Sequence, residues 1–416
     1  MANSDETVPS SGELSWRDAM FYEDIVAAEL NLTPDKFRIL MVTSSPASKE
    51  PDGYMSLLYR VTVSVQVNGD EESSPRELRF IAKVESDGYF GSEVQNLMQT
   101  FPKEIEMYSK IIPAFEQLWA GDKVKFGPRS FKSVGKPNGS VIIMEDLREA
   151  GYLMKPCADG MTLGECRIVL EKLARFHAAS VAYYEKNGAY TDPFKDGMYA
   201  DCLIEEFSSY YAPLYESFLK RVRSMKIDPD CLEALENLNG KLFTKIVDLF
   251  RLDPKGFNVL NHGDLWVNNI LFNKEDILLL DYQISFYGSP AFDLIYFMIN
   301  SAALDVRTES FNELIDYYQQ ELSDSLKKLG TNTNPPTKEQ LHKDIRKRGL
   351  LACAQTMEAL CLILTKQDLK MDANLLGSDQ PEGIDYRNKL YDHPRVTAAL
   401  ERLIPFLWKE GFITEN

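Results

Sequence analysis

The stretch that most constrains this chain is Val259 to Asp293, VLNHGDLWVNNILFNKEDILLLDYQISFYGSPAFD. It carries Asp264, then Asn269 at the fifth position after it, then Asp281 at the end of the apolar strand ILLLD. A carboxylate, a carboxamide and a second carboxylate beyond a strand form a recognisable phosphoryl-transfer arrangement. One acid faces the attacking hydroxyl, and the other two groups hold metal ions. Asp264 is placed to orient and deprotonate an acceptor hydroxyl. Asn269 would take one magnesium ion, and Asp281 would bridge metal to the donor phosphates. The plain alternative is a polar turn between strands, but spacing, residue types and strand context agree on the chemistry. Asn268 is expected to support the loop, and His262 to pack and hydrogen-bond rather than catalyse. Asp293 has two structural readings, as a helix N-cap or as a brace for the loop.

A phosphoryl donor is strongly anionic and calls for a lysine on a rigid element, fixed by a glutamate. Lys83 lies on the apolar strand LRFIAKV (78–84), where a charged side chain is not expected without a partner. The plain alternative is a lysine pointing outward from an edge strand. Glu104 is the candidate partner, on a helical face marked by Phe101, Ile105, Tyr108 and Ile112, with Glu106 the alternative. The phosphate-covering loop should fall between the first two strands, in SKEPDGYMS, with Gly53 and Ser56 as contacts. That loop is not glycine-rich in the usual pattern and is weak evidence by itself. A Walker-type lysine loop is absent from the sequence. Only about ten residues separate Asp281 from the next helix, and no Ala-Pro-Glu follows, so there is no room for a protein kinase's activation segment. That points to a small-molecule acceptor.

Around this stretch the chain reads as α+β. Residues 1–13 are polar and expected to be disordered. Trp16–Leu30 has helical spacing, and strands are expected at 38–44, 57–67, 78–84, 129–134 and 140–144. From about 150 onward helices dominate, including 163–184, 231–250, 340–366 and 394–409, with a long loop from 372 to 394. The expected division is a β-rich N-lobe over 14–147 and a mostly helical C-lobe over 148–416, with a hinge near 147.

The net charge of −17 argues against nucleic acid, which needs a basic surface. The plain reading of that charge is a well-solvated surface, and the sharper one a cationic substrate. The six cysteines show no Cys-x-x-Cys pairing and the four histidines lie far apart, so a structural zinc site is not expected. Reduced thiols and a polar N-terminus fit a cytoplasmic protein. The longest apolar run, Leu350–Leu364, is too short for a bilayer and reads as a buried helix. His177, in LARFHAASVAYY, reads as a satisfied core histidine.

HGDLWVNNILF followed by LLLDYQISFYGSPAFDLIYF resembles the insect ecdysteroid kinase-like family, relatives of choline and aminoglycoside kinases. DGYMSLLYRV, IAKVE, FPKEIEMYSKIIP, VIIMEDL and LARFHAAS extend the likeness over about Gly53 to Phe297. The resemblance implies a two-lobed protein-kinase-like fold that uses ATP and Mg2+. It implies a Lys83–Glu104 ion pair, a hinge backbone over Glu145 to Leu147, Asp264 as base, and Asn269 and Asp281 as magnesium ligands. No matched catalytic position is missing. The implied acceptors are hydroxyls of ecdysteroids or other small lipophilic compounds, and the protein is expected to act as a monomer. Two rivals are a kinase for a cationic acceptor, which an acidic cleft would favour, and a nucleotide-regulated binding protein without turnover.

Overall fold

The computed structural model describes residues 15–47, 56–69, 74–86, 91–135, 140–156, 159–274 and 276–414. Gly53 lies outside them. The chain divides into two compact units, Met1–Ser92 with Pro128–Glu149, and Glu93–Gly127 with Ala150–Asn416.

The first unit is a five-stranded antiparallel sheet. Its strands are β1 (Phe37–Pro46), β2 (Ser56–Val67), β3 (Arg76–Glu85), β4 (Ser130–Val134) and β5 (Val141–Glu145), in spatial order β1-β2-β3-β5-β4. Strand side chains alternate between faces. Val61, Val63, Val65, Phe80, Ala82 and Ile143 therefore share one face and pack on Phe21, Tyr22, Ile25 and Val26 of the N-terminal helical segment. Each fully buried aliphatic or phenyl side chain contributes about 1.5–3 kcal/mol. The helix expected over 16–30 forms as a 3-10 turn, Ala19–Tyr22, and an α-helix, Glu23–Leu30.

Lys83 alternates to the opposite face from Ala82. It sits across from Leu58 on β2 and Ile142 on β5, so its strand is interior to the sheet rather than an edge. Its side chain is buried, at 4% exposure. The reading of an outward lysine on an edge strand does not survive this placement. Ser56 opens β2 and is buried. Glu145 ends β5, Asp146 is bound by Arg60, and Leu147 is buried.

The second unit is mostly helical. A 25-residue helix, Leu163–Asn187, starts at a capping box of Thr162 and Glu165 and runs against Phe311–Leu329. Helix Ala291–Ser301 is buried along its whole length. The helical face expected around 98–112 exists, but with a π-turn at Met107–Ile111 between Thr100–Glu106 and Ile112–Leu118. Pro113 lacks the N–H that would close an α-turn there, so the helix widens just before it.

The segment expected as one helix over 340–366 is three: Lys338–Lys347, Leu350–Met357 and Ala359–Thr365. Gly349 marks the first break, where a β-carbon would lie 2.5 Å from Phe412. Among the described residues no single helix is long and apolar enough to cross a membrane. The stretch expected as a loop from 372 contains a further helix, Pro381–Tyr391. Its inward face includes Tyr386, Leu390 and a buried arginine, Arg387, which breaks the apolar pattern in the sequence.

Candidate active site

After β6 (Leu153–Met154), the site stretch folds through four short strands of the second unit: β7 (Val259–Asn261), β8 (Ile270–Phe272), β9 (Ile277–Leu279) and β10 (Phe286–Gly288). β7 pairs with β10, and β8 with β9. β7 delivers His262 to Asp264, and a 3-10 turn, Val267–Asn269, carries Asn269 into β8. Leu280 donates its backbone N–H to the Asn269 carbonyl at 2.8 Å, which draws Asp281 to the same loop.

Asp264 is half-buried, and each of its carboxylate oxygens already accepts one bond. Asn269 Nδ2 donates to Oδ2 at 2.8 Å and to the Asp264 carbonyl at 2.9 Å. The Tyr296 hydroxyl donates to Oδ1 at 2.6 Å. Burial pushes the Tyr296 phenol well up, and the Asp264 carboxylate adds to this, so the phenol stays a donor. The Asn269 nitrogen is thereby committed to Asp264, which leaves its Oδ1 as the atom a cation would meet. An amide oxygen beside a carboxylate suits magnesium, which takes one or two protein oxygens and completes its shell with water and phosphate.

Asp281 is half-buried and adopts φ +66°, in the left-handed region. That conformation costs a non-glycine residue about 1–2 kcal/mol. Its backbone N–H reaches the Tyr108 hydroxyl at 3.4 Å. Burial raises the Tyr108 phenol well above its ordinary value, with added push from Glu104, Tyr282 and Asp281. Glu104 and Asp281 therefore share one neighbourhood around Tyr108. Glu104 is fully buried, whereas Glu106 binds Lys110 at 3.0 Å and accepts from Thr191 at 2.6 Å.

A second layer holds the loop from behind. Asp293, fully buried, accepts the backbone N–H groups of His262 at 2.6 Å and Gly263 at 2.9 Å. His177 Nε2 approaches the same carboxylate at 3.1 Å, and its Nδ1 meets the Tyr318 hydroxyl at 2.7 Å. Of the two readings of Asp293, the brace is the one built. His177 is a satisfied core histidine that also ties the two long helices to the loop.

His262 Nδ1 accepts from the Asp264 N–H at 3.2 Å, so Nε2 carries the proton and donates to the Leu280 carbonyl at 2.9 Å. Burial lowers its pKa, which keeps the ring neutral. With both nitrogens used, His262 supports the loop, as its position in the sequence suggested. Tyr108 and Tyr296 carry no motif of their own. Tyr296 was findable in one way: it lies three residues after Asp293, on the same helical face.

Gly263 has φ +86°, and a β-carbon there would sit 2.3 Å from the Ile284 carbonyl oxygen. Gly263→Ala is expected to lose more than about 2 kcal/mol of stability and most activity. Urea denaturation and a turnover assay on the same preparation check this.

The sequence profile of the ecdysteroid kinase-like family matches residues 50–331. The chain belongs to that family. Membership carries the coarse assignment made from the sequence, a small-molecule kinase with an alcohol group as acceptor, on an α+β, protein-kinase-like frame. No curated protein matches the chain.

Among solved structures, the family member is similar to choline kinase from Cryptosporidium parvum Iowa II. Identity there is 13%, coverage 95% of this chain and 98% of the other, and the TM-score 0.45. It is also similar to an aminoglycoside 2'-phosphotransferase IIIa variant in its GDP complex, at 14% identity, 96% and 100% coverage and a TM-score of 0.42. Amicoumacin kinase follows at 12% identity, 90% and 94% coverage and a TM-score of 0.40. Likeness at this level assigns no substrate.

Proposed function

We propose that this protein transfers the γ-phosphoryl group of ATP to a hydroxyl of a small organic molecule. Asp264 takes the hydroxyl proton as the new O–P bond forms and the bond to ADP breaks, so the products are a phosphomonoester and ADP. The observation that carries the reading is the carboxylate itself. Tyr296 and Asn269 fix the direction of both Asp264 oxygens, and the residue remains half-exposed.

Asn269 and Asp281 would hold magnesium, which supplies charge neutralisation on the phosphates. Lys83 would hold the donor phosphates. Its pairing with Glu104 rests on sequence spacing and on the burial of both residues. Gly53 and Ser56 would cover the phosphates, and the backbone of Glu145 to Leu147 would receive the adenine. An ecdysteroid or another lipophilic alcohol is the acceptor class this reading takes from the family. A cationic acceptor is the second class, favoured by the placement of Glu358 described below. Action as a monomer in the cytoplasm belongs to the same reading, supported by the five free cysteines among the described residues.

The test is ADP formation by the purified protein with magnesium and ATP, across a panel of ecdysteroids, plant glycosides and amino alcohols. Acceptor-dependent ADP release is expected with at least one class and none without magnesium. Binding of panel compounds with no ADP from any would leave the sequestering protein as the better account.

A further inference from the structure

A second carboxylate of the unit that holds Asp264 sits among aromatic rings. Glu358 occupies the break between helices Leu350–Met357 and Ala359–Thr365, with φ −110° and ψ −82°. Its Oε1 accepts the Tyr210 hydroxyl and its Oε2 the Tyr211 hydroxyl, both at 2.9 Å. The Tyr211 and Tyr199 hydroxyls are 3.1 Å apart. Gln355 Nε2 donates to Tyr199 at 3.1 Å, and Asn300 Nδ2 to Gln355 Oε1 at 2.8 Å. Phe207 and Phe243 complete the wall, with ring centroids 6.1 Å from Tyr210 and 5.3 Å from Tyr211 respectively.

Among the described residues no lysine, arginine or histidine forms an ion pair with Glu358. Arg387, on the neighbouring helix, spends its guanidinium on the carbonyls of Leu375, Leu376 and Ser378 and on Ser217 Oγ. Burial raises the Glu358 carboxyl, and only the two phenols pull it back. A carboxylate out of water without a counter-charge is unfavourable, and an incoming cation would restore its ionised form. Glu358 and Tyr210 are half-buried as residues, while Tyr199 and Tyr211 are buried.

The place of this wall ties it to the chemistry. The Tyr199 ring lies 6.1 Å from that of Phe292, which stacks on Tyr296 at 5.8 Å, and Tyr296 donates to Asp264. The wall and Asp264 thus stand at the two ends of one run of aromatic rings. Aromatic faces with a carboxylate favour organic ammonium groups over neutral ones.

We propose that Glu358, with Tyr199, Tyr210 and Tyr211, is a subsite for a positively charged nitrogen on the acceptor. The acceptor is then a lipophilic amine that also bears the hydroxyl presented to Asp264. This rests on the reading of Asp264 as the residue facing the acceptor.

The test is calorimetric titration of the full-length protein with benzyl(2-hydroxyethyl)dimethylammonium and with its uncharged carbon analogue, beside ADP formation with each. The cation is expected to bind at least tenfold more tightly. Glu358→Gln should reduce that preference to under twofold, and Tyr210→Phe should reduce it partly. Asp264→Asn should keep the preference while losing ADP formation. Equal binding of the two probes to the unaltered protein, or a preference that survives Glu358→Gln in a folded variant, overturns the subsite. If neutral ecdysteroids drive ADP formation and the cation shows no preference, the subsite falls and the kinase reading stands. If the preference holds and no alcohol drives ADP formation, the kinase reading falls and the subsite stands.

Discussion

Asp264→Asn is expected to lower phosphoryl transfer by about 10²–10⁴-fold, the range that a positioned general base contributes. The amide keeps the volume of the carboxylate and can still accept the Tyr296 hydroxyl, so the fold should hold. It cannot take a proton. Its own NH2 would also face Asn269 Nδ2, donor against donor, where a hydrogen bond of 2.8 Å now stands. Asn269 would then turn, and its oxygen with it. The variant should therefore show a raised magnesium requirement as well as a lower turnover, with ATP binding largely retained. Single-turnover assays across a magnesium series, with ATP binding measured in parallel, read both effects. Full activity in the variant would remove Asp264 from the chemistry.

The second large effect is expected at Asp293, which touches no reacting atom. Asp293→Ala strips the acceptor from two loop N–H groups and from His177, all buried. Breaking a buried charged network by removing one member costs about 3–5 kcal/mol. The loss should fall on the loop first, because His262 and Gly263 are the residues that set the direction of Asp264. Urea denaturation should show the stability loss, and hydrogen exchange at the amides of 262 and 263 should speed up more than exchange in helix Leu163–Asn187. Wild-type stability in Asp293→Ala, or uniform acceleration across both regions, would contradict the bracing role.

These two residues show what sequence can and cannot convey. Asp264, Asn269 and Asp281 lie within one stretch of suggestive spacing, so sequence alone offers them as candidates. Lys83 was legible as a misfit, a charge inside an apolar strand, but not as a residue of an interior strand, because sheet order is not written locally. Sequence leaves Asp293 between two structural roles, since a cap and a brace use the same residue type at the same helix start. Only the placement of His262 and Gly263 separates them.

Tyr108, Tyr296 and Glu358 were out of reach as site residues. Tyrosines in apolar helices look like core, and Glu358 sat inside what read as one continuous helix. Its meaning depends on a helix break that apolar periodicity does not reveal. Apolar periodicity misses the helix Pro381–Tyr391 for a similar reason, as the buried Arg387 interrupts the pattern that would announce it.

The most direct measurement of the central claim is the stoichiometry of products from γ-labelled ATP with an active acceptor. One labelled phosphomonoester is expected for each ADP formed, dependent on magnesium, with label on the acceptor hydroxyl and about 10²–10⁴-fold slower labelling when Asp264→Asn replaces the native chain. Label released only as inorganic phosphate, or acceptor bound and left unlabelled, would contradict it.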